Sequence, residues 1–379
     1  MLVLILCIFF FIEFYYYCFV FSACTLYSRS VRKGKVWFNT SQPPVSVIIY
    51  AKNNIEELKY NLPEVLNQKY PDFEVIIVND GSVDDTKDYI TILKKEYENL
   101  YHTYIPEEAH SLSRKKLALT IGIKAAKYET VAFSDAYCRP ASDGWISAMM
   151  RNFTTDIEIV IGNTSEKSLQ KEKWHYLYYR LFFKLKFFYY ALIKKPYMGE
   201  GTNLFFQKEL FFRNKGFSSH LAIQYGDDDI FTNEIMTRNN TRAEFSAEAL
   251  MTANYEDGSE TIKEIRLRRD FTKRFLKTSA HTFFAFERFS AYMFYITAII
   301  TAIWGVYYSI NITAIAAAIF LLRYIMQIIV CRNASRTLNT KVNPFAIIIY
   351  DIIKPFVDLR FKILGHNTNL KNYTWRIRR

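Results

Sequence analysis

The chain has 379 residues, of which 50% are hydrophobic and 17% aromatic, so intrinsic disorder is excluded as the main state: there is ample apolar surface to bury. Lys and Arg (49) outnumber Asp and Glu (37), and the net charge of +12 suits nucleic acid, an anionic membrane face or a phosphate-bearing substrate. The five cysteines include no C-x-x-C pair and the six histidines no H-E-x-x-H, which disfavours a disulfide framework, a zinc site and a zinc hydrolase.

Mean hydropathy, −0.05, averages two apolar ends and a charged middle, so neither a wholly soluble protein nor a polytopic transporter is expected. Residues 2–24 carry a single charge, Glu13. At about 1.5 Å per residue they span a bilayer core of about 30 Å. No Lys or Arg precedes this run, which speaks against a signal peptide. Arg29, Arg32, Lys33 and Lys35 follow it, so the positive-inside rule puts the next segment in the cytoplasm. Residues 1–28 are thus the expected N-terminal transmembrane helix.

Residues 45–50, after Pro43-Pro44, read as a buried strand. A helical pattern over 55–68 leads to a second strand over 73–78, ending in Asn79-Asp80-Gly81-Ser82. Asp84 or Asp85 can cap the next helix, which runs to about residue 97. A third strand is expected over 101–105, a helix over 115–127, and a fourth strand over 130–134 that ends at Asp135. Such alternation predicts a mainly parallel sheet with right-handed crossovers and a ligand site at the carboxyl ends of the strands. Asp80 and Asp135 both stand at such ends. Neither G-x-G-x-x-G nor a P-loop occurs, so a dinucleotide enzyme or ordinary NTPase lacks its phosphate cradle.

Residues 171–195 are aromatic and basic, with Arg180, Lys184 and Lys186 among the rings. The aromatics cover too much of a helix for a one-sided stripe, so an interfacial helix is expected over a core helix. Residues 289–322 hold no charge and as one helix would measure about 50 Å, too long for one crossing. A break near Ser309-Ile310-Asn311 gives two spans within 289–331, and Arg332, Arg336 and Lys341 return the chain to the basic side. In the tail, 332–379, residues 345–356 are apolar but short and interrupted by Asp351 and Lys354, which suggests an interfacial helix. Arg323 lies near the middle of the last span, as Glu13 does in the first. A lone charge at that depth costs about 2.5–3.5 kcal/mol on insertion scales. Either the two pair across touching helices, or Arg323 snorkels or meets a lipid phosphate.

Several motifs in order then resemble those of family 2 glycosyltransferases. They are 44–53 (Pro-Val-Ser-Val-Ile-Ile-Tyr-Ala-Lys-Asn), Gln68-Lys69-Tyr70-Pro71, 74–82 with Asp85, 115–126, 133–140 (Phe-Ser-Asp-Ala-Tyr-Cys-Arg-Pro) and Gly226-Asp227-Asp228-Asp229. The resemblance covers about 43–280. It implies an α/β GT-A domain with a mainly parallel sheet, flanked by transmembrane helices as in the bacterial membrane-bound, polysaccharide-building members. It also implies a nucleoside-diphosphate sugar donor (a UDP-sugar first), Mg²⁺ or Mn²⁺, and metal-dependent, inverting hexosyl transfer. The chemistry needs these residue types, because the leaving diphosphate gathers negative charge and the acceptor hydroxyl must lose a proton.

By that resemblance Asp80 contacts the nucleotide base, and Lys52 and Lys115 line the nucleotide pocket. Asp135 takes the first place of the D-x-D metal motif, with Tyr137 at the second. The loop Gly199-Glu200-Gly201-Thr202-Asn203 lies beside the donor sugar and acceptor. Asp227 and Asp228 fall at the family's acidic pair, with Asp228 as general base. Residues 271–275 align with Q-x-x-R-W but keep only Arg274, which favours single addition to a lipid-linked or glycan acceptor over processive synthesis. The basic run Arg266, Arg268, Arg269, Lys273, Arg274 and Lys277 adjoins a membrane span, so it points to acceptor phosphate or anionic lipid and away from nucleic acid. The expected place is the bacterial inner membrane, multi-pass, with the catalytic domain in the cytoplasm. Tyr137, Phe271 and Phe275 keep a second class open, a catalytically degenerate scaffold in a glycan assembly complex. A sugar-phosphate nucleotidyltransferase would need a Gly-rich N-terminal loop, which is not found.

Overall fold

The computed structural model describes residues 1–106 and 113–367, and the chain forms two compact units. One unit holds 34–173, 191–276 and the residues from 359 on, with ten strands among its described residues: β1 Val45–Ala51, β2 Phe73–Asn79, β3 Leu100–Tyr104, β4 Thr130–Asp135, β5 Cys138–Pro140, β6 Ile159–Gly162, β7 Thr164–Ser168, β8 Leu204–Gln207, β9 Thr241–Glu244 and β10 Met251–Tyr255. Seven form one sheet in the order β3-β2-β1-β4-β8-β6-β9, and β5-β10-β7 form a second. The first four strands of the large sheet are parallel; β8 runs antiparallel to both β4 and β6. This is the mainly parallel α/β sheet of a GT-A-like fold.

The crossovers are the helices Ile55–Leu66, Thr86–Leu93 and Arg114–Ala125. The last packs so closely on the sheet that a Cβ at Gly122 would lie 2.5 Å from Ile48 Cγ2. Central strands covered on both faces read as continuous apolar runs, and Val47, Ile48, Ile76, Ile77 and Ala132 are fully or almost fully buried. In register, Tyr50 faces Val78 and Asp135, and Ala51 faces Asn79, so β1, β2 and β4 end at one level. The helix expected to reach residue 97 stops at Leu93, and the chain closes in a turn with Glu96 N–H on the Leu93 carbonyl at 2.9 Å. Asp84 does the capping: its two oxygens accept from Ile55 N at 3.1 Å and Thr86 N at 3.2 Å, starting two helices at once. Asp85 sits at the cap position and makes no side-chain cap bond.

The other unit holds 1–33, 174–190 and 277–358. Three of its helices are long and apolar enough to cross a membrane: Leu2–Phe21 (its last turn and a half π-helical), Ala280–Tyr308 and Ile310–Thr337. The break falls at Ser309, where expected. Leu6, Phe10, Phe294, Ala298 and Ala316 form a buried cluster between them. Arg323 donates to Glu13 at 3.0 Å and to Asp351 at 3.3 Å, and its guanidinium lies 4.8 Å from the ring centroids of Phe294 and Tyr295. Gln327 joins the network, donating to Tyr17 at 2.9 Å and Asp351 at 2.8 Å. Of the two fates open to Arg323, pairing with Glu13 is the one found. Asp351, which the sequence reading treats as an interruption, is a third member.

The helix Trp174–Leu192 also packs within this unit: Tyr178 stacks on Tyr350 at 4.7 Å, and Phe21 meets Phe182 at 5.1 Å. Its residues are buried around most of the circumference, including Arg180 and Lys184. The many rings serve contacts to several neighbouring helices. The tail helix Ile347–Asn367 exposes Ile349, Ile352, Phe356, Leu359 and Ile363, an apolar stripe at helical spacing, while Asp351 points inward.

Candidate active site

A cavity of about 420 Å³ opens in the α/β unit at the carboxyl ends of β1, β2 and β4. Its near wall is Asp80, which the turn after β2 presents. Asp80 N–H donates to the Ala51 carbonyl at 2.9 Å, tying the turn to the end of β1. The carboxylate is 1% exposed. It accepts from Tyr50 OH at 2.8 Å, lies 3.4 Å from Lys52 Nζ and pairs with Arg114. Burial and the Asp80 contact push the Tyr50 phenol up, so it stays a donor.

The centre is built on β4 and the N-terminal turn of the helix Arg114–Ala125. Lys115 Nζ lies 2.8 Å from Asp135 Oδ1 and 3.4 Å from Asp227 Oδ2. Burial pulls this ammonium down, but the charges of Asp135 and Asp227 outweigh it and its pKa is raised. Tyr137 OH donates to Asp135 at 2.8 Å; burial and the Asp135 charge hold it a neutral phenol.

The far wall is the acidic triplet. Gly226, at φ +95, makes the turn that L side chains disfavour. The three carboxylates then diverge, because the chain turns into a helix across them. Asp227 faces Lys115. Asp228 is the N-cap of the helix Asp229–Ile235; its oxygens accept from Asp229 N at 2.7 Å and Gly201 N at 3.3 Å. Asp229 turns to the Thr272 hydroxyl. Burial and the Asp227 charge raise the Asp228 pKa against the pull of Lys115, and burial with the Asp228 charge pushes Asp229 up to about 7.

Of the loop Gly199–Asn203, the cavity meets Glu200 and Thr202. Gly199 N–H bonds Thr232 Oγ1 at 2.9 Å, and Gly201 touches Asp228. Asn203 lies behind the wall, taking Trp145 Nε1 at 3.0 Å and donating to the Asn163 and Ala249 carbonyls at 3.0 and 2.9 Å. Arg274 is not among the lining residues; it sits in the turn after the helix Gly258–Thr272, over the Phe271 ring. Arg268 and Arg269, one and a half turns earlier, line the cavity instead. Arg269 pairs with Glu200, and the Arg268 guanidinium lies 4.3 Å from the Tyr225 ring centroid. The sequence showed both within a basic run but could not single them out, because the motif keeps only one of its three defined residues. Arg114, which was not read, was signalled by its position beside Lys115 at a helix start.

Among the described residues no three Asp, Glu, His or Cys side chains converge as a metal site. Two do hold a cation, however: Asp135 and Asp227 flank the Lys115 ammonium. Seven Asp or Glu and five Lys or Arg line the cavity, so its acids outnumber its bases. Mg²⁺ commonly takes one or two carboxylates plus substrate phosphate oxygens. Asp135 and Asp227 fit that pattern; Tyr137, neutral, does not add to it.

Residues 46–211 match the model of glycosyl transferase family 2. This segment belongs to that family. The chain is 36% identical over 92 residues to the poly-beta-1,6-N-acetyl-D-glucosamine synthase of Staphylococcus epidermidis, covering 24% of this chain and 21% of that one. It is 32% identical over 124 residues to glycosyltransferase AglE of Haloferax volcanii, covering 32% of this chain and 39% of that one. The chain thus spans well under half the length of these curated relatives. In fold, the chain resembles the mannosyltransferase PcManGT of Pyrobaculum calidifontis, solved with GDP-Man and Mn²⁺, at TM-score 0.51 and 16% identity over 98% of this chain and 99% of that one.

Proposed function

We propose that the protein is a glycosyltransferase of the bacterial inner membrane that moves a sugar from a nucleoside-diphosphate donor, a UDP-sugar first, to a hydroxyl of a lipid-linked or saccharide acceptor in surface glycan synthesis. The observation that carries this reading is the convergence of Asp80, Asp135, Asp227 and Asp228 with Lys52, Arg114, Lys115, Arg268 and Arg269 on one cavity.

In this reading Asp80, with Lys52 and Arg114 beside it, holds the nucleoside. Lys115 and Arg268 face the diphosphate. Asp135 and Asp227 would hold Mg²⁺ or Mn²⁺, which would supply positive charge to the leaving group. The acceptor oxygen attacks the anomeric carbon while the bond from that carbon to the diphosphate oxygen breaks and its electron pair leaves with the diphosphate. The hydroxyl proton passes to Asp228, the base, and attack from the far face inverts the configuration. The raised pKa of Asp228 strengthens it as a base relative to an ordinary aspartate. The loop Gly199–Asn203, through Gly201 N–H, holds Asp228 in place. The basic flanks after the first and last of the three apolar helices support a catalytic unit on the cytoplasmic side, by the positive-inside rule.

The test is a screen of nucleotide sugars, UDP-sugars first, against the purified full chain in detergent with a membrane-lipid extract as acceptor. The expected result is diphosphate-nucleoside release with one donor, abolished in Asp228→Asn. Tight nucleotide binding with no release for any donor would favour the scaffold reading. A cytoplasm-only reporter fused after Thr278 should give signal; activity of a periplasmic reporter there would overturn the topology.

A further inference from the structure

We propose that the Lys115 ammonium is the resident counter-ion of the two metal carboxylates, so that the site takes a divalent ion together with a diphosphate and resists it alone; this rests on the metal assignment just made. The ammonium touches both Asp135 oxygens, at 2.8 and 3.1 Å, and stands 3.4 Å from Asp227. A divalent ion binding the same carboxylates would meet a like charge at a few ångströms, where repulsion is strong in a partly buried site. Lys115 must therefore leave as the metal enters.

It is built to do so, and its neighbour is not. Lys115 is a third exposed at its side chain, on a flexible four-carbon stem. Lys116 is 1% exposed and fixed by two hydrogen bonds of 2.8 Å to the carbonyls of His220 and Ile223. Lys115 also stands in the first turn of the helix Arg114–Ala125, capped by Ser113, where backbone N–H groups and the dipole favour an anion. A diphosphate in the cavity thus offers the displaced ammonium a new partner and the metal new ligands in one step. With metal alone, the ammonium loses both carboxylates and gains nothing. By linkage, diphosphate and metal then raise each other's affinity by the same factor. Tyr137 sharpens the effect, because a phenol at that place gives the metal no third charge beside Asp135 and Asp227 with which to compete.

The test uses Mn²⁺ alone, with no nucleotide, on the full chain in detergent. Free Mn²⁺ is read by its spin-resonance signal, and the thermal midpoint with and without Mn²⁺ is a second measure. Lys115→Gln keeps a hydrogen-bond donor and Lys115→Met removes it; both remove the charge. Each is expected to bind Mn²⁺ at least about tenfold tighter than the unaltered protein. Adding Asp135→Asn to Lys115→Gln should cancel the gain. Equal Mn²⁺ affinity in all three proteins, or a gain that survives Asp135→Asn, would overturn the proposal. Because no donor is present, the outcome is separate from the function screen. A chain that transfers sugar but shows no exchange refutes this inference alone, and one that shows exchange but transfers nothing refutes only the enzymatic reading.

Discussion

Replacing Asp228 by Asn removes the proton acceptor while keeping its shape. The structural loss can be bounded from its contacts. One amide oxygen can still accept from Asp229 N at 2.7 Å and cap the helix. The NH₂ group then faces Gly201 N–H, donor against donor, where the carboxylate accepted at 3.3 Å. Losing that weak bond costs on the order of 1 kcal/mol. Losing a positioned base costs about 10²–10⁴ in rate, or roughly 3–5 kcal/mol of transition-state stabilisation. Turnover at saturating donor and acceptor should therefore fall at least about a hundredfold while donor affinity stays within a few-fold. Asn at the two neighbours separates the roles. Asp227→Asn removes a charge from Lys115 and should weaken donor binding in Mn²⁺; Asp229→Asn faces Thr272 and should leave turnover near normal. The raised pKa of Asp228 adds a signature: turnover should climb with pH through an apparent pKa above the ordinary aspartate range, because only the ionised form accepts a proton. Near-normal turnover in Asp228→Asn, with loss of turnover in Asp227→Asn, would refute the assignment by one position.

Lys116→Met would take the Lys116 donor from the Ile223 carbonyl and leave the His220 carbonyl with the Ile223 N–H alone, a loss of about 1–3 kcal/mol, and would loosen the segment that carries the acidic triplet. The thermal midpoint should drop and turnover should fall more than donor affinity; an unchanged midpoint would refute this role for Lys116. Asp229, at about 7, is raised above the 3.8 of a free aspartate, so the folded state holds its proton more tightly. Its stabilising contribution is complete below pH about 4 and is lost as pH rises through about 7, on the order of 4 kcal/mol. Asp229→Asn should gain stability relative to the unaltered chain between pH 4 and 8, and parallel stability curves would refute this. In the helical unit, Arg323→Gln leaves Glu13 facing Asp351 without a cation, whereas Glu13→Gln leaves Arg323 paired with Asp351. The first should cost about 3–5 kcal/mol, seen as lost yield and midpoint, and the second much less. Equal losses would show that the network is not shared.

What could be read from the sequence, and what could not, divides along a physical line. β1, β2 and β4 are buried on both faces and announce themselves as apolar runs, so Asp80 and Asp135 could be placed at strand ends without coordinates. β5 and β7 are short and carry Arg, Glu, Lys and Ser, so nothing in their pattern distinguishes them from loop. The same division holds at the site. That three consecutive acids belong there was legible; that they diverge to Lys115, Gly201 and Thr272 required the turn at Gly226 and the helix start it sets. Depth arithmetic along two apolar runs set Glu13 and Arg323 at matching depth and left pairing open beside snorkelling; the fold brings them together across 310 positions. The same arithmetic had no means to enlist Asp351, which lies outside both runs and reaches Arg323 only because its helix packs against theirs. Arg274 shows the complementary failure. Motif spacing selected it, but the helix Gly258–Thr272 ends before it, so the cations of this segment that line the cavity are Arg268 and Arg269. A residue's chemistry is thus legible where local burial or charge forces it, and its partners become legible only when the tertiary path brings distant segments together.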